Sequence, residues 1–158
     1  MFSAVCEWRT KVQSLEVVHI EDVPVEEVWA HLAKDASSVL IDVRTRAEWT
    51  FVGLPDLNEI GKRVLTVEWQ TCPESKIDAG FSERMTKALD AAGATKDSEL
   101  FFICRSGARS RMAAEAMASA GYRRCRNVAD GFEGPLDADR HRGQVAGWKA
   151  AGLAWVQG

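Results

Sequence analysis

The sequence predicts an α/β domain with a mostly parallel central sheet of about five strands and helices on both faces. Three observations predict it. Short apolar runs, Val39–Val43 and Glu99–Ile103 above all, suit strands covered on both faces. Between such runs lie segments whose apolar residues recur at helical spacing, so strand and helix patterns alternate along the chain. With 158 residues, 46% hydrophobic and 27% charged, the chain is of one-domain length and long enough to bury a substantial core.

In chain order, a strand is expected near Val17–Ile20. Pro24 then opens a helix carrying Val25, Val28, Trp29 and Leu32 on one face, with Glu26 and Glu27 in the first turn, where the helix dipole favours acids. Val39–Val43 reads as a buried central strand and is followed by a short helix over Arg46–Phe51. A loop punctuated by Gly53, Pro55 and Gly61 leads to a strand at Val64–Trp69. Phe81, Met85, Leu89 and Ala92 share one face of the next helix, which ends at Gly93. After the strand Glu99–Ile103, residues Met112, Ala113, Ala116, Met117 and Ala120 mark another helix, Gly121 caps it, and Arg124–Val128 is the last core strand. Trp148 and Trp155 are expected to pin the tail to the core.

The chemistry-bearing stretch is Leu100–Ser110, where an apolar run stops at Cys104, passes a polar loop expected to span Cys104 to Arg109, and enters a helical pattern. Loop N–H groups and the partial positive charge of a helix start favour an anion at such a turn. Arg105 and Arg109 add cations that stabilise a thiolate, the nucleophilic form, and attract an anionic substrate. Gly107 lets the loop reach backbone angles that a side chain would forbid, and Ser106 offers a hydroxyl to the sulfur or to an oxyanion. The alternative for a strand-end cysteine is packing, since free cysteine is among the most buried residue types. The polar residues that follow Cys104 favour chemistry.

Cys104-Arg105-Ser106-Gly107-Ala108-Arg109-Ser110, with the upstream Val39-Leu40-Ile41-Asp42-Val43-Arg44 and Glu48-Trp49, resembles the single-domain rhodaneses, a sulfurtransferase family. The resemblance covers residues 17–156 as one rhodanese-like domain and leaves residues 1–16 as an N-terminal extension. It implies a cysteine that takes a sulfane sulfur from a donor, holds it as a persulfide and passes it to a nucleophilic acceptor. By that match Cys104 is the nucleophile, Arg105, Ser106, Gly107, Ala108 and Arg109 form the substrate-binding loop, and Asp42 and Arg44 hold the loop from beneath. The implied donor is small and anionic, such as thiosulfate, and the acceptor is a thiol, cyanide or a protein cysteine. No cofactor is implied. A thiolate attacking a sulfur–sulfur bond is a covalent catalyst and needs none. Rhodaneses often carry Gly-His-Ile after the Asp-Val-Arg strand; here Phe51-Val52-Gly53-Leu54-Pro55-Asp56-Leu57 stands in its place.

Other readings stay open. Cysteine-dependent phosphatases and arsenate reductases also place Cys on a strand-loop-helix turn, but they need an Arg one place later, where Ser110 stands. A non-catalytic persulfide carrier would keep this loop and leave the chemistry to a partner. Asp42 and Arg44 also fit an ordinary ion pair at the rim of a sheet. His19, His31 and His141 lie outside the loop, and no Cys/His spacing resembles a zinc site. A net charge of −3 argues against nucleic-acid binding, and no apolar run reaches membrane-spanning length. The opening Met1–Arg9 lacks a signal pattern and the four cysteines lack disulfide spacing, so a cytoplasmic protein is expected. Cys125 reads as strand filling, and Cys6 and Cys72 carry weaker signals, although Cys72 could resolve a persulfide if the fold brought it near. The segment Trp69 to Phe81 reads either as a solvated connection or as an insertion at the active-site edge.

Overall fold

In the computed structural model, which describes residues 18–158, strands and helices alternate. β1 (Glu21–Val23) passes through Pro24 into α1 (Val25–Lys34), and β2 (Val39–Asp42) into α2 (Arg46–Phe51). The short β3 (Leu54–Pro55), a 3-10 turn at Asn58–Ile60 and β4 (Leu65–Thr66) precede α3 (Phe81–Ala91). β5 (Glu99–Ile103), α4 (Ala108–Ser119), β6 (Arg124–Val128) and β7 (Trp155–Val156) complete the chain. Five strands form one parallel sheet in the order β1-β6-β5-β2-β4, while β3 and β7 pair antiparallel beside it.

β5 runs through the middle of the sheet and is buried at every residue, which explains its unbroken apolar composition. Alternate side chains feed the two faces. Leu100 and Phe102 pack with Met85 and Leu89 of α3 and Ala113 and Met117 of α4; Phe101 and Ile103 pack with Val28 and Leu32 of α1 and with Trp148. Helices therefore cover both faces of the sheet. Among the described residues no helix is long and apolar enough to cross a membrane.

Three boundaries differ from the pattern. Val17, the start of the first expected strand, lies outside the described residues, as do Cys6 and the expected extension 1–16; the strand itself is Glu21–Val23. It is an edge strand in which only Val23 is buried, so the apolar signal falls one step early, on Ile20, which is a core residue outside any strand. The strand expected over Val64–Trp69 shortens to Leu65–Thr66, because beyond it Val67 and Trp69 donate to the carbonyls of Asp42 and Val43 without extending the regular ladder. α4 starts at Ala108, so Ala108 and Arg109 are helical and the loop is only Cys104–Gly107.

The tail is anchored by Trp148, which is fully buried, packs edge-on to Trp29 at 6.0 Å between ring centroids and donates from Nε1 to the Ala154 carbonyl at 2.8 Å. Trp155 is 40% exposed, packs edge-on to Phe132 at 6.2 Å between ring centroids, and pairs through its backbone in β7 with β3. Truncating a buried aromatic costs about 3–5 kcal/mol. Trp148→Ala is expected to lose that much stability in urea denaturation, and Trp155→Ala less than half of it.

Candidate active site

Asp42, Asn127 and Asp22 lie on three strands and Cys104 follows a fourth, all toward the carboxyl edge of the sheet, where ligand sites of open α/β sheets lie. Cys104 follows β5 directly and is 1% exposed. The turn behind it closes on Gly107, whose φ of 108° is a left-handed value that disfavours a side chain. In that conformation the Gly107 N–H donates to Cys104 Sγ at 3.1 Å and α4 begins at the next residue. The sulfur thus faces the N-terminal end of a 12-residue helix.

The hydroxyl beside the sulfur belongs to Ser110 and not to Ser106. Ser110 Oγ lies 3.1 Å from Sγ and is fully buried, whereas Ser106 is exposed and points to a cavity on the other side of the loop. The helix start at Ala108 explains the exchange, since it turns the third helical residue back onto the strand end that precedes it. A serine three places beyond Gly107 was the available signal, and it would have required the helix start to be placed correctly.

Arg109 does not present a free fork to a substrate. Its Nη1 and Nη2 donate to Glu48 Oε2 and Oε1 at 2.8 and 2.7 Å, a bidentate pair. Glu48 also closes the capping box of α2, accepting from the backbone N–H of Thr45 at 2.9 Å and from its hydroxyl at 2.9 Å. Burial pushes the Glu48 carboxyl up, but the Arg109 and Thr45 hydrogen bonds and the Arg109 charge outweigh it and hold the group at about 2. The hydrogen bonds to Glu48, and next to them its charge, raise Arg109 against the opposing effect of burial. Arg105 is exposed and has no carboxylate partner among the described residues.

Asp42 and Arg44 are both fully buried, so they are no pair on an exposed rim. Arg44 Nε and Nη2 donate to the Asp42 carboxylate, at 2.6 Å for the shortest bond, and Nη2 also donates to the Gly53 carbonyl at 2.7 Å. The guanidinium lies 4.2 Å from the centroid of the Phe132 ring, and the Phe132 N–H donates to the Cys104 carbonyl at 2.8 Å. Support for the loop therefore passes through Phe132 and makes no direct hydrogen bond from Asp42 or Arg44 to Ser106, Gly107 or Ala108.

A cavity of about 570 Å3 opens beside the loop, walled by Arg105, Arg109, Glu48, Phe51, Thr71 and Cys72. The segment that follows Trp69 is thus both solvated and part of the active-site edge: residues 71–77 are exposed, while Gln70, Thr71, Cys72 and Ser75 face this cavity. Cys125 is buried, and burial pushes its thiol up to about 12 against a weak pull from Lys96, which leaves it structural. His31 is half exposed beside Glu99, away from the loop.

The Glu48 carboxyl has a testable signature. Because it is held below its ordinary value of 4.5, its ionised form adds stability that is fully present above pH 4.5 and lost as pH falls toward 2. The stability gap between wild type and Glu48→Gln should be constant from pH 7 to about pH 5 and close below that range in thermal unfolding. A gap independent of pH would refute the pairing.

Among solved structures, the crystal structure of Rv0390 from M. tuberculosis is 40% identical, covers 89% of this chain and 100% of that one, and superposes with a TM-score of 0.80. The polysulfide-sulfur transferase homodimer of Wolinella succinogenes shares the fold at 16% identity and a TM-score of 0.58, covering 88% of this chain and 80% of that one. The chloroplastic rhodanese-like domain-containing protein 4 of Arabidopsis thaliana is 24% identical over 133 residues, which are 84% of this chain and 25% of that protein. The family model described as the STR4 middle domain matches residues 21–158, nearly the whole described chain. On a rhodanese-like fold, the chain belongs to the STR4 middle domain family.

Proposed function

We propose that the protein is a sulfurtransferase in which Cys104 accepts a sulfane sulfur as a persulfide and passes it to a thiophilic acceptor. The observation that carries the reading is the setting of the sulfur: Cys104 Sγ lies 3.1 Å from both the Gly107 N–H and the Ser110 hydroxyl, at the start of α4. Such donors stabilise a thiolate, and they serve the negative charge of a persulfide equally well. The names of two similar proteins, a rhodanese-like domain-containing protein and a polysulfide-sulfur transferase of the same fold, support sulfur transfer as the general activity.

With thiosulfate as donor, the Cys104 thiolate attacks the outer sulfur, the new S–S bond forms as the old one breaks, and sulfite leaves with the bonding pair. Cyanide, a thiol or a protein cysteine then attacks the outer sulfur of the persulfide and returns Cys104 as thiolate. The donor reaches the loop from the cavity walled by Arg105, Thr71 and Cys72. Arg105 is the cation left to attract it, since the Arg109 fork is filled by Glu48. A carboxylate in that fork also disfavours the phosphatase reading, in which the arginine must grip a phosphoryl group.

Intact-protein mass spectrometry tests the reading. After thiosulfate, wild type should gain about 32 Da, one sulfur atom, and lose it to cyanide as thiocyanate appears; Cys104→Ser should gain nothing. A wild type that gains no sulfur from thiosulfate or polysulfide and instead hydrolyses phosphate esters would overturn it; one that gains sulfur yet never releases it to an acceptor would be a carrier. Arg105→Ala should raise the KM for thiosulfate roughly threefold to tenfold with little change in kcat, the pattern of a lost exposed charge.

A further inference from the structure

The Ser110 hydroxyl stands among three acceptors and has one proton. Its Oγ is 2.6 Å from Asn127 Oδ1, 3.1 Å from Cys104 Sγ and 3.2 Å from the Gly107 carbonyl. The orientation of Asn127 is set from behind: its Nδ2 donates to Asp22 Oδ1 at 2.8 Å and to the Gly107 carbonyl at 3.1 Å, so Oδ1 faces Ser110. Ser110 is fully buried and Asn127 is 3% exposed, so water does not complete the arrangement freely.

Counting protons along this row gives two arrangements. With a neutral thiol, Cys104 S–H donates to Ser110 Oγ and Ser110 O–H donates to Asn127 Oδ1, and both contacts are satisfied. With an anionic sulfur, one proton serves two contacts; the hydroxyl turns to the sulfur and Asn127 Oδ1 loses its donor. An unmade buried hydrogen bond is a cost, and here it falls on the anion alone.

We propose that Asn127, locked by Asp22, is a positioning residue of the active site that competes with the Cys104 sulfur for the Ser110 proton and so restrains formation of the anionic sulfur. The proposal rests on the reading of Cys104 as nucleophile. Charges packed around this row come from every adjoining element. Asp22 of β1 pairs with Arg111 of α4, Asp42 pairs with Arg44 after β2, and Glu48 of α2 pairs with Arg109 of α4. Arg105 in the loop and Asp130 after β6 remain at its two sides, each lining one of the flanking cavities.

The test is the pH dependence of Cys104 alkylation by iodoacetamide in the full chain, read on the Cys104 peptide by mass. Losing a competing acceptor should favour the anion, so Asn127→Leu is expected to move the midpoint to lower pH by about half a unit to one unit. Ser110→Ala should move it to higher pH, and in the Ser110→Ala background Asn127→Leu should have no effect. Asp22→Ala, at a half-exposed position, should also move the midpoint down by freeing Asn127 to turn; any part due only to the lost charge persists without Ser110. A midpoint that stays or rises in folded Asn127→Leu, or shifts of both variants that survive intact in Ser110→Ala, would overturn the proposal. Failure of wild type to form a persulfide would instead defeat the nucleophile reading, and the alkylation comparison would still decide the role of Asn127.

Discussion

The site depends on one buried ion pair. Asp42 and Arg44, both without solvent exposure, join the end of β2 to three separate segments: the Gly53 carbonyl beyond α2, the Phe132 ring in the tail, and through the Phe132 N–H the carbonyl of Cys104. The attraction of such a pair barely repays the loss of hydration, so its contribution is better measured in specificity than in net stability. Breaking it is different: one charge left alone in the interior is a severe penalty, which binds these segments to a single arrangement. A neutral, apolar substitute for the pair would fill the same space without fixing where Gly53 and Phe132 must lie.

The tail completes the enclosure of the loop from the other side. Gly131 has a positive φ, and a Cβ there would overlap the Cys104 carbonyl and the Arg105 backbone, so only glycine permits the approach. That closeness lets the N–H groups of Glu133 and Gly134 reach the Arg105 carbonyl at 3.0 and 3.1 Å, while the Trp148 N–H holds the Gly131 carbonyl at 2.9 Å. The carbonyls of Cys104 and Arg105 are thereby satisfied by the tail, and the amide of Gly107 points at the sulfur.

The core of this architecture was legible because it is written in periodicity. Val39–Asp42 and Glu99–Ile103 carry apolar runs, and α1, α3 and α4 carry helical spacing, so their positions followed within a residue or two. What failed was written in long-range contacts. β1 offers one buried residue, β7 finds β3 a hundred positions away, and the tail wraps the loop without regular structure. At the site, Cys104, Gly107 and Arg109 were expected from residue type, whereas the Arg109–Glu48 fork and the choice of Ser110 over Ser106 required knowing that α4 starts at Ala108. A shift of two residues at a helix start rotates the following side chains by about half a turn.

This arrangement also decides which forces act on the sulfur. Arg109 is neutralised by a bidentate carboxylate, Arg44 by Asp42 and Arg111 by Asp22, so most of the positive charge near Cys104 is already matched. Matched pairs act weakly beyond their own length, because opposite charges cancel at a distance. The contacts made to the sulfur itself are then those of the Gly107 amide and the Ser110 hydroxyl at the start of α4. Contact donors of this kind are directional and short-ranged. They act on Sγ itself, whereas Arg105 and Phe51 line the cavity beside the loop. The groups that touch the sulfur, from Gly107 and Ser110, thus belong to different residues from those that line the cavity.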